Sequence, residues 1–125
     1  MTIDFNGEFI VVKLTGLVGL PEMLAQAEEI AALETRLPVT PNRITYLPIG
    51  GVGDVNFGDL HLFAAKRRAV RLKNPVKSAI VAEDAVQFGL ARMYQTLNEN
   101  PDIRVEIFQS EAPALAWLRE PGGAG

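Results

Sequence analysis

The chain contains no cysteine, and that absence removes disulfides, thiolate metal sites and cysteine nucleophiles together. It has one histidine, His61, so no metal centre built on several imidazoles can form. No apolar run approaches the roughly 18 to 20 residues that cross a bilayer. The opening "MTIDFNGE" lacks the basic and apolar regions of a signal peptide, and the cytoplasm is the expected location. Basic residues do not dominate: 12 Lys+Arg against 15 Asp+Glu give a formal charge of -3, so nucleic acid is not an expected partner. Internal repeats and a central linker are also missing. What remains is 125 residues, 48% of them hydrophobic, which read as one domain with a core of its own. That domain is expected to span residues 1–119. The tail "EPGGAG", residues 120–125, is expected to be disordered.

The pattern along the chain is more informative. "TIDFNGEFIVVKL" predicts a hairpin, with Asn6-Gly7 supplying the two positive-φ residues of a type I′ turn. Phe9, Ile10, Val11 and Val12 make its second strand apolar on both faces, as in a covered sheet. Pro21 opens a helix with Met23, Ala27 and Ile30 along its apolar stripe, flanked by Leu24 and Ala31; Pro38 and Pro41 end it. "NRITYLPI" reads as a strand that runs into a glycine-rich loop. Asp59 or Gly58 caps the next helix, "LHLFAAKRRAVRLK", and Asn74-Pro75 stops it. After the strand "KSAIVA", Asp84 caps a helix with Val86, Leu90, Met93 and Leu97 on one face; Glu83 simply precedes that cap. "IRVEIF" is the last strand, and Ser110 caps a final helix whose Trp117 packs on the sheet. The order β-β-α-β-α-β-α-β-α predicts an α/β fold: one mostly parallel five-stranded sheet, an antiparallel N-terminal hairpin strand and four helices.

The loop "GGVGDVNFGDL" lies where many α/β proteins hold phosphate, at a helix N-terminus. It has no lysine, serine or threonine, which a P-loop requires, and a GxGxxG reading fails at Asn56. Asp54 and Asp59 oppose an incoming phosphate. A backbone-shaping turn is expected, with Gly58 at positive φ and no cofactor.

The loop and its flanks resemble a STAS domain, the family of anti-sigma-factor antagonists and of sulfate-transporter cytoplasmic domains. Gly50-Gly51-Val52 falls on the first part of that family's loop motif, and Asn56-Phe57-Gly58-Asp59-Leu60 on the second. "SAIVAEDAVQFGLARMYQTL" and "RVEIFQSEAPALAWL" resemble a divergent bacterial STAS/Sec14-like group, so that the likeness spans about Glu8 to Leu118. The resemblance implies a SpoIIAA-like fold. It places the regulatory serine on Gly58 and the acidic residue two places earlier on Asn56, so the phosphoswitch is absent. No phosphorylation and no nucleotide binding are expected in residues 50–60.

Other residues bear on binding. Lys66, Arg67, Arg68, Arg71 and Lys73 crowd one helix, where a macrodipole favours cations at the C-terminal end. On a helical wheel Leu62, Ala65, Ala69 and Leu72 share one side, which predicts Arg67 and Arg71 turned outward to an anionic partner and Phe63 at the margin. His61 reads as structural. Gly89, inside a helix, predicts close backbone packing, and Phe88 with Arg92 forms a flank that a ligand or a second copy would meet. Together these imply a non-catalytic domain that binds a protein partner or forms a homodimer through Asn56, Gly58, Asp59, Phe63, Arg67, Arg71, Phe88 and Arg92. The rival expectation, from the Sec14 side of the resemblance, is a lipid- or small-molecule-binding module. A large apolar cavity between helices and sheet would favour the rival, and a filled core with an exposed patch the protein partner.

Overall fold

The chain begins with two short strands, β1 (Thr2–Phe5) and β2 (Ile10–Lys13), followed by helix α1 (Leu20–Arg36). Strand β3 (Arg43–Tyr46), helix α2 (Phe57–Arg68), strand β4 (Val76–Val81), helix α3 (Ala85–Leu97), strand β5 (Ile103–Phe108) and helix α4 (Glu111–Leu118) complete it. This is a computed structural model, and it describes residues 1–16, 18–48 and 55–120. The strands lie side by side in chain order, β1 antiparallel to β2 and the other pairs parallel. The expected α/β architecture is present. The first part of the glycine loop, including Gly50-Gly51-Val52 and Asp54, and the end of the tail lie outside the described residues.

Strand order explains the layering. Parallel crossovers are almost always right-handed, and an order that never reverses sends α1, α2 and α3 to the same face. On that face Ile10, Val12, Val76, Ile103 and Val105 of the sheet pack with Ile30, Phe63 and Tyr94 of the three helices. Among the described residues only α4 covers the other face, where Ala114 and Leu118 meet Phe9, Ile44, Ala79 and Val81. Both faces of β2, β3 and β4 are therefore covered, and alternate residues belong to different cores.

Several local expectations are corrected. Gly7 has positive φ (96°) but Asn6 does not, so the hairpin turn is not type I′. Asn6 Oδ1 instead accepts from the Glu8 and Phe9 N–H groups at 2.9 and 2.8 Å, closing a four-residue connection between Phe5 and Ile10. This is the local bonding that asparagine offers a turn. Helix α2 starts earlier than expected, because Asn56 is its N-cap: Asn56 Oδ1 accepts from Asp59 N–H at 2.9 Å, and Asp59 Oδ2 from Asn56 N–H at 3.2 Å. Gly58 sits within the first turn without positive φ. The helix also stops earlier. Asn100 Nδ2 donates to the Arg67 and Val70 carbonyls at 2.6 and 2.7 Å, which terminates the helix before Lys73.

Two helix faces depart from expectation. On α2, Leu60, Phe63, Ala64 and Arg67 are buried, whereas Leu62 is 54% exposed. On α3 the fully buried residues are Gln87, Ala91 and Tyr94; of the expected face, Leu90, Met93 and Leu97 pack partly buried against the core and Val86 is 70% exposed. Gly89 faces open space: a Cβ there would meet nothing within 4 Å. Close packing is therefore not what Gly89 serves.

Candidate functional site

In the register of β3 and β4, Arg43 lies beside Ser78, and both point to the face covered by α1, α2 and α3. Arg43 Nη2 donates to Ser78 Oγ at 3.1 Å and Nη1 to Glu34 Oε2 of α1 at 3.4 Å. Glu34 is held more tightly from α2. Arg67 Nη1 and Nη2 donate to its two carboxylate oxygens, each at 3.1 Å, in the bidentate geometry that makes such pairs strong. Arg43 and Glu34 are each 4% exposed and Arg67 only 1%. Two buried guanidiniums thus share one carboxylate, and the cluster carries one uncompensated positive charge. Burial, together with the neighbouring Arg67 charge, pushes the Arg43 guanidinium down to about 10. Tyr94, buried nearby on α3, is held above its usual value, chiefly by burial. Arg67 Nε has no hydrogen-bond partner among the described residues.

Directly against Arg43 and Ser78 lies a cavity of about 80 Å³. Its walls are mostly apolar, including Leu14, Met23, Leu47, Leu60, Ile80 and Leu90, with Gln26, Thr45 and Tyr94 as further polar liners. Leu47 and Leu90 are half-buried, whereas Arg43 and Ser78 are nearly inaccessible. The polar end is deep, and the apolar rim lies nearer solvent. Leu47 follows β3 and Leu60 lies in the first turns of α2, so the cavity draws walls from both of these elements.

Most of the residues singled out in the sequence lie elsewhere. Asn56 and Asp59 cap α2, and Gly58 lies between them. His61 is exposed and edge-on to Phe57 at 5.3 Å. Phe63 does not sit at a margin: it is buried, lines the cavity and packs on Tyr94 at 5.2 Å. The outward placement of Arg67 is corrected outright, since Glu34 draws its guanidinium into the core. Arg71 is exposed but donates to the carbonyls of Arg68 and Val70. Its neighbours are engaged as well: Lys66 with Glu28, Arg68 with Glu99, and Lys73 with the Thr35 and Leu37 carbonyls ending α1. The basic stretch mainly ties α2 and its C-terminal connection to the rest of the molecule. Phe88 is half-buried and Arg92 exposed on α3.

Glu34, Arg43, Thr45, Ser78 and Tyr94 were not visible as a site in the sequence. Two signals pointed that way: Glu34 continues the Met23, Ala27, Ile30 stripe, and Arg43 and Thr45 flank Ile44 in a strand expected inside a covered sheet. Among the described residues, no group of three or more His, Asp or Glu side chains is placed to hold a metal, and no helix is long and apolar enough to cross a membrane. Comparisons with known protein families, with characterised proteins and with solved structures give no match, so the chemistry of this site is argued from its own geometry.

Proposed function

We propose that the chain is a non-catalytic, STAS-like binding module whose ligand is a small, largely apolar molecule held between the sheet and helices α1, α2 and α3. The cavity of about 80 Å³ carries this reading. Well-packed interiors leave few voids larger than a water molecule, and concave, mostly apolar sites with a few convergent polar groups are where small ligands bind. The order of elements and the antiparallel hairpin edge support the STAS resemblance. Gly58 at the switch position supports a role that needs no phosphorylation. A protein-partner role, the other expectation, draws support from the exposed Phe57 and Leu62 of α2 and Val86 of α3; the engaged cations of α2 no longer add to it.

Titration of the labelled protein with 1-butanol, followed through methyl resonances, tests the reading. Shifts are expected at Leu14, Leu47, Leu60 and Leu90, and replacing Ala91, which lines the cavity, with leucine is expected to abolish them. Methyls that do not move at saturating butanol would overturn it.

A further inference from the structure

We infer that the ligand of this cavity is a small monocarboxylate, its carboxylate seated on Arg43 and Ser78 and its apolar body against Leu14, Leu60 and Leu90. The inference rests on the proposed reading of the cavity as a binding site and specifies what that site selects.

The first argument is charge. The charged and titratable groups of the cluster are Arg43, Arg67, Glu34 and Tyr94. With tyrosine neutral, two cations face one anion. Glu34 is already committed to Arg67 through two bonds at 3.1 Å, and its contact with Arg43 is a single one at 3.4 Å. Arg43 is therefore the poorly compensated cation, and it is the one that lines the cavity. A buried charge without a partner is costly. An anion entering beside Arg43 replaces the solvation that the guanidinium lost on folding.

The second argument is donor geometry. Ser78 Oγ accepts from Arg43 Nη2, which leaves the serine hydroxyl hydrogen to donate. A guanidinium and a hydroxyl side by side match the two oxygens of a carboxylate. Thr45 lies on the same face, two residues along β3, and offers a further hydroxyl to the same space.

The third argument separates carboxylate from phosphate. The excess charge is a single unit, so a monoanion neutralises the cluster. A dianion would leave one negative charge in an apolar chamber, where desolvation is severe. The remaining walls are mostly hydrocarbon, which suits an alkyl body. Size limits that body: a cavity of roughly 150 Å³ accepts benzene, so about 80 Å³ takes a chain of a few carbons, with any longer tail passing the half-buried Leu47 and Leu90 toward solvent.

The test compares sodium butanoate, 1-butanol and butylammonium on the wild-type protein by calorimetry and methyl shifts at neutral pH. Butanoate is expected to bind at least tenfold more tightly than butanol, and butylammonium not at all. Arg43→Met, which leaves the Arg67–Glu34 pair intact, is expected to erase the preference for butanoate while butanol still binds. Equal affinity for butanoate and butanol in the wild-type protein would overturn the carboxylate inference and leave the apolar site standing. Binding of neither would overturn both. Should Arg43→Met fail to fold, the three-ligand comparison on the wild-type protein decides alone.

Discussion

Glu34 holds two guanidiniums with one carboxylate, and the three side chains are not equivalent. Removing the shared partner leaves two buried cations facing each other, and breaking a buried pair in this way typically costs about 3 to 5 kcal/mol. Glu34→Gln is therefore expected to lose about that much in urea unfolding. Arg43→Met leaves the bidentate pair intact and neutral, and its expected cost stays below about 2 kcal/mol. Arg67→Met, which leaves Glu34 only the 3.4 Å contact to Arg43, is expected to fall between them. A larger loss in Arg43→Met than in Arg67→Met would show that Arg43 is the principal partner of Glu34. The two tyrosines give a second measurement. Burial, assisted by the 2.7 Å bond to Glu111, raises Tyr46 from 10.0 to about 12, and burial raises Tyr94 as well. Folding favours the protonated phenol, so this stability is intact below pH 10 and lost as pH rises toward 12. Phenolate absorbance is expected to be slight at pH 10, where a free tyrosine is half ionised; half-ionisation of the native protein there would contradict the placement of both rings. Glu34 and Arg43 hinted at this cluster, but it was not legible as a unit, because Arg67, in a run of basic residues, reads as solvated until its partner is known. That partner lies 33 positions away for Arg67, and Ser78 lies 35 from Arg43.

At the scale of elements, punctuation was a better guide than periodicity. Prolines, Asp84 and the alternation of apolar runs located every strand and helix in order. The face of α2 was not readable from the wheel, and that of α3 only in part, since Leu90, Met93 and Leu97 do pack on the core but Val86 does not. Leu62, Ala65, Ala69 and Leu72 make as good a stripe as Leu60, Phe63 and Ala64, and only the Arg67–Glu34 pair and the end of the helix at Arg68 decide between them. That end depends on Asn100, whose Nδ2 donates to the carbonyls of Arg67 in α2 and of Val70 just beyond it while its Oδ1 accepts from Asp102 N–H at 2.8 Å. Asn100→Ala removes all three bonds, each worth about 0.5 to 1.5 kcal/mol, although Arg67 O still accepts from Val70 N–H and Val70 O from Arg71. A loss of at least about 2 kcal/mol is expected, and a change under half of that would mean that water replaces the amide. Gly89 gives the opposite sign. It lies exposed in mid-helix with open space around its Cα, so Gly89→Ala is expected to stabilise the protein by about 0.5 to 1 kcal/mol. A decrease in melting temperature would show that the glycine serves a contact outside the isolated chain.

For the whole molecule, an open five-stranded sheet leaves two edges, and an unguarded edge recruits other chains. Along β5 the Asp102 and Phe108 carbonyls accept from Val76 and Ala82 at 2.8 Å, on the side of β4. The alternate carbonyls of Ile103 and Val105 face away from β4, because successive backbone groups point in opposite directions. They are met from α3: Asn98 Nδ2 donates to Ile103 O at 3.1 Å and Gln95 Nε2 to Val105 O at 2.8 Å. Two amides, Gln95 on α3 and Asn98 at its C-cap, thus occupy acceptors that an incoming strand would need. The helix that supplies Leu90 and Tyr94 to the cavity also closes the sheet against addition. Gln95→Ala with Asn98→Ala is expected to free both acceptors and raise the mass measured by light scattering as concentration increases. Destabilisation alone also promotes association, so Asn100→Ala serves as the control, since it weakens the α2 terminus without uncovering β5. If the control associates as strongly as the double variant at matched stability, the two amides do not guard the edge. If only the double variant grows, and added urea below its unfolding range does not increase the growth, strand addition at β5 is the route.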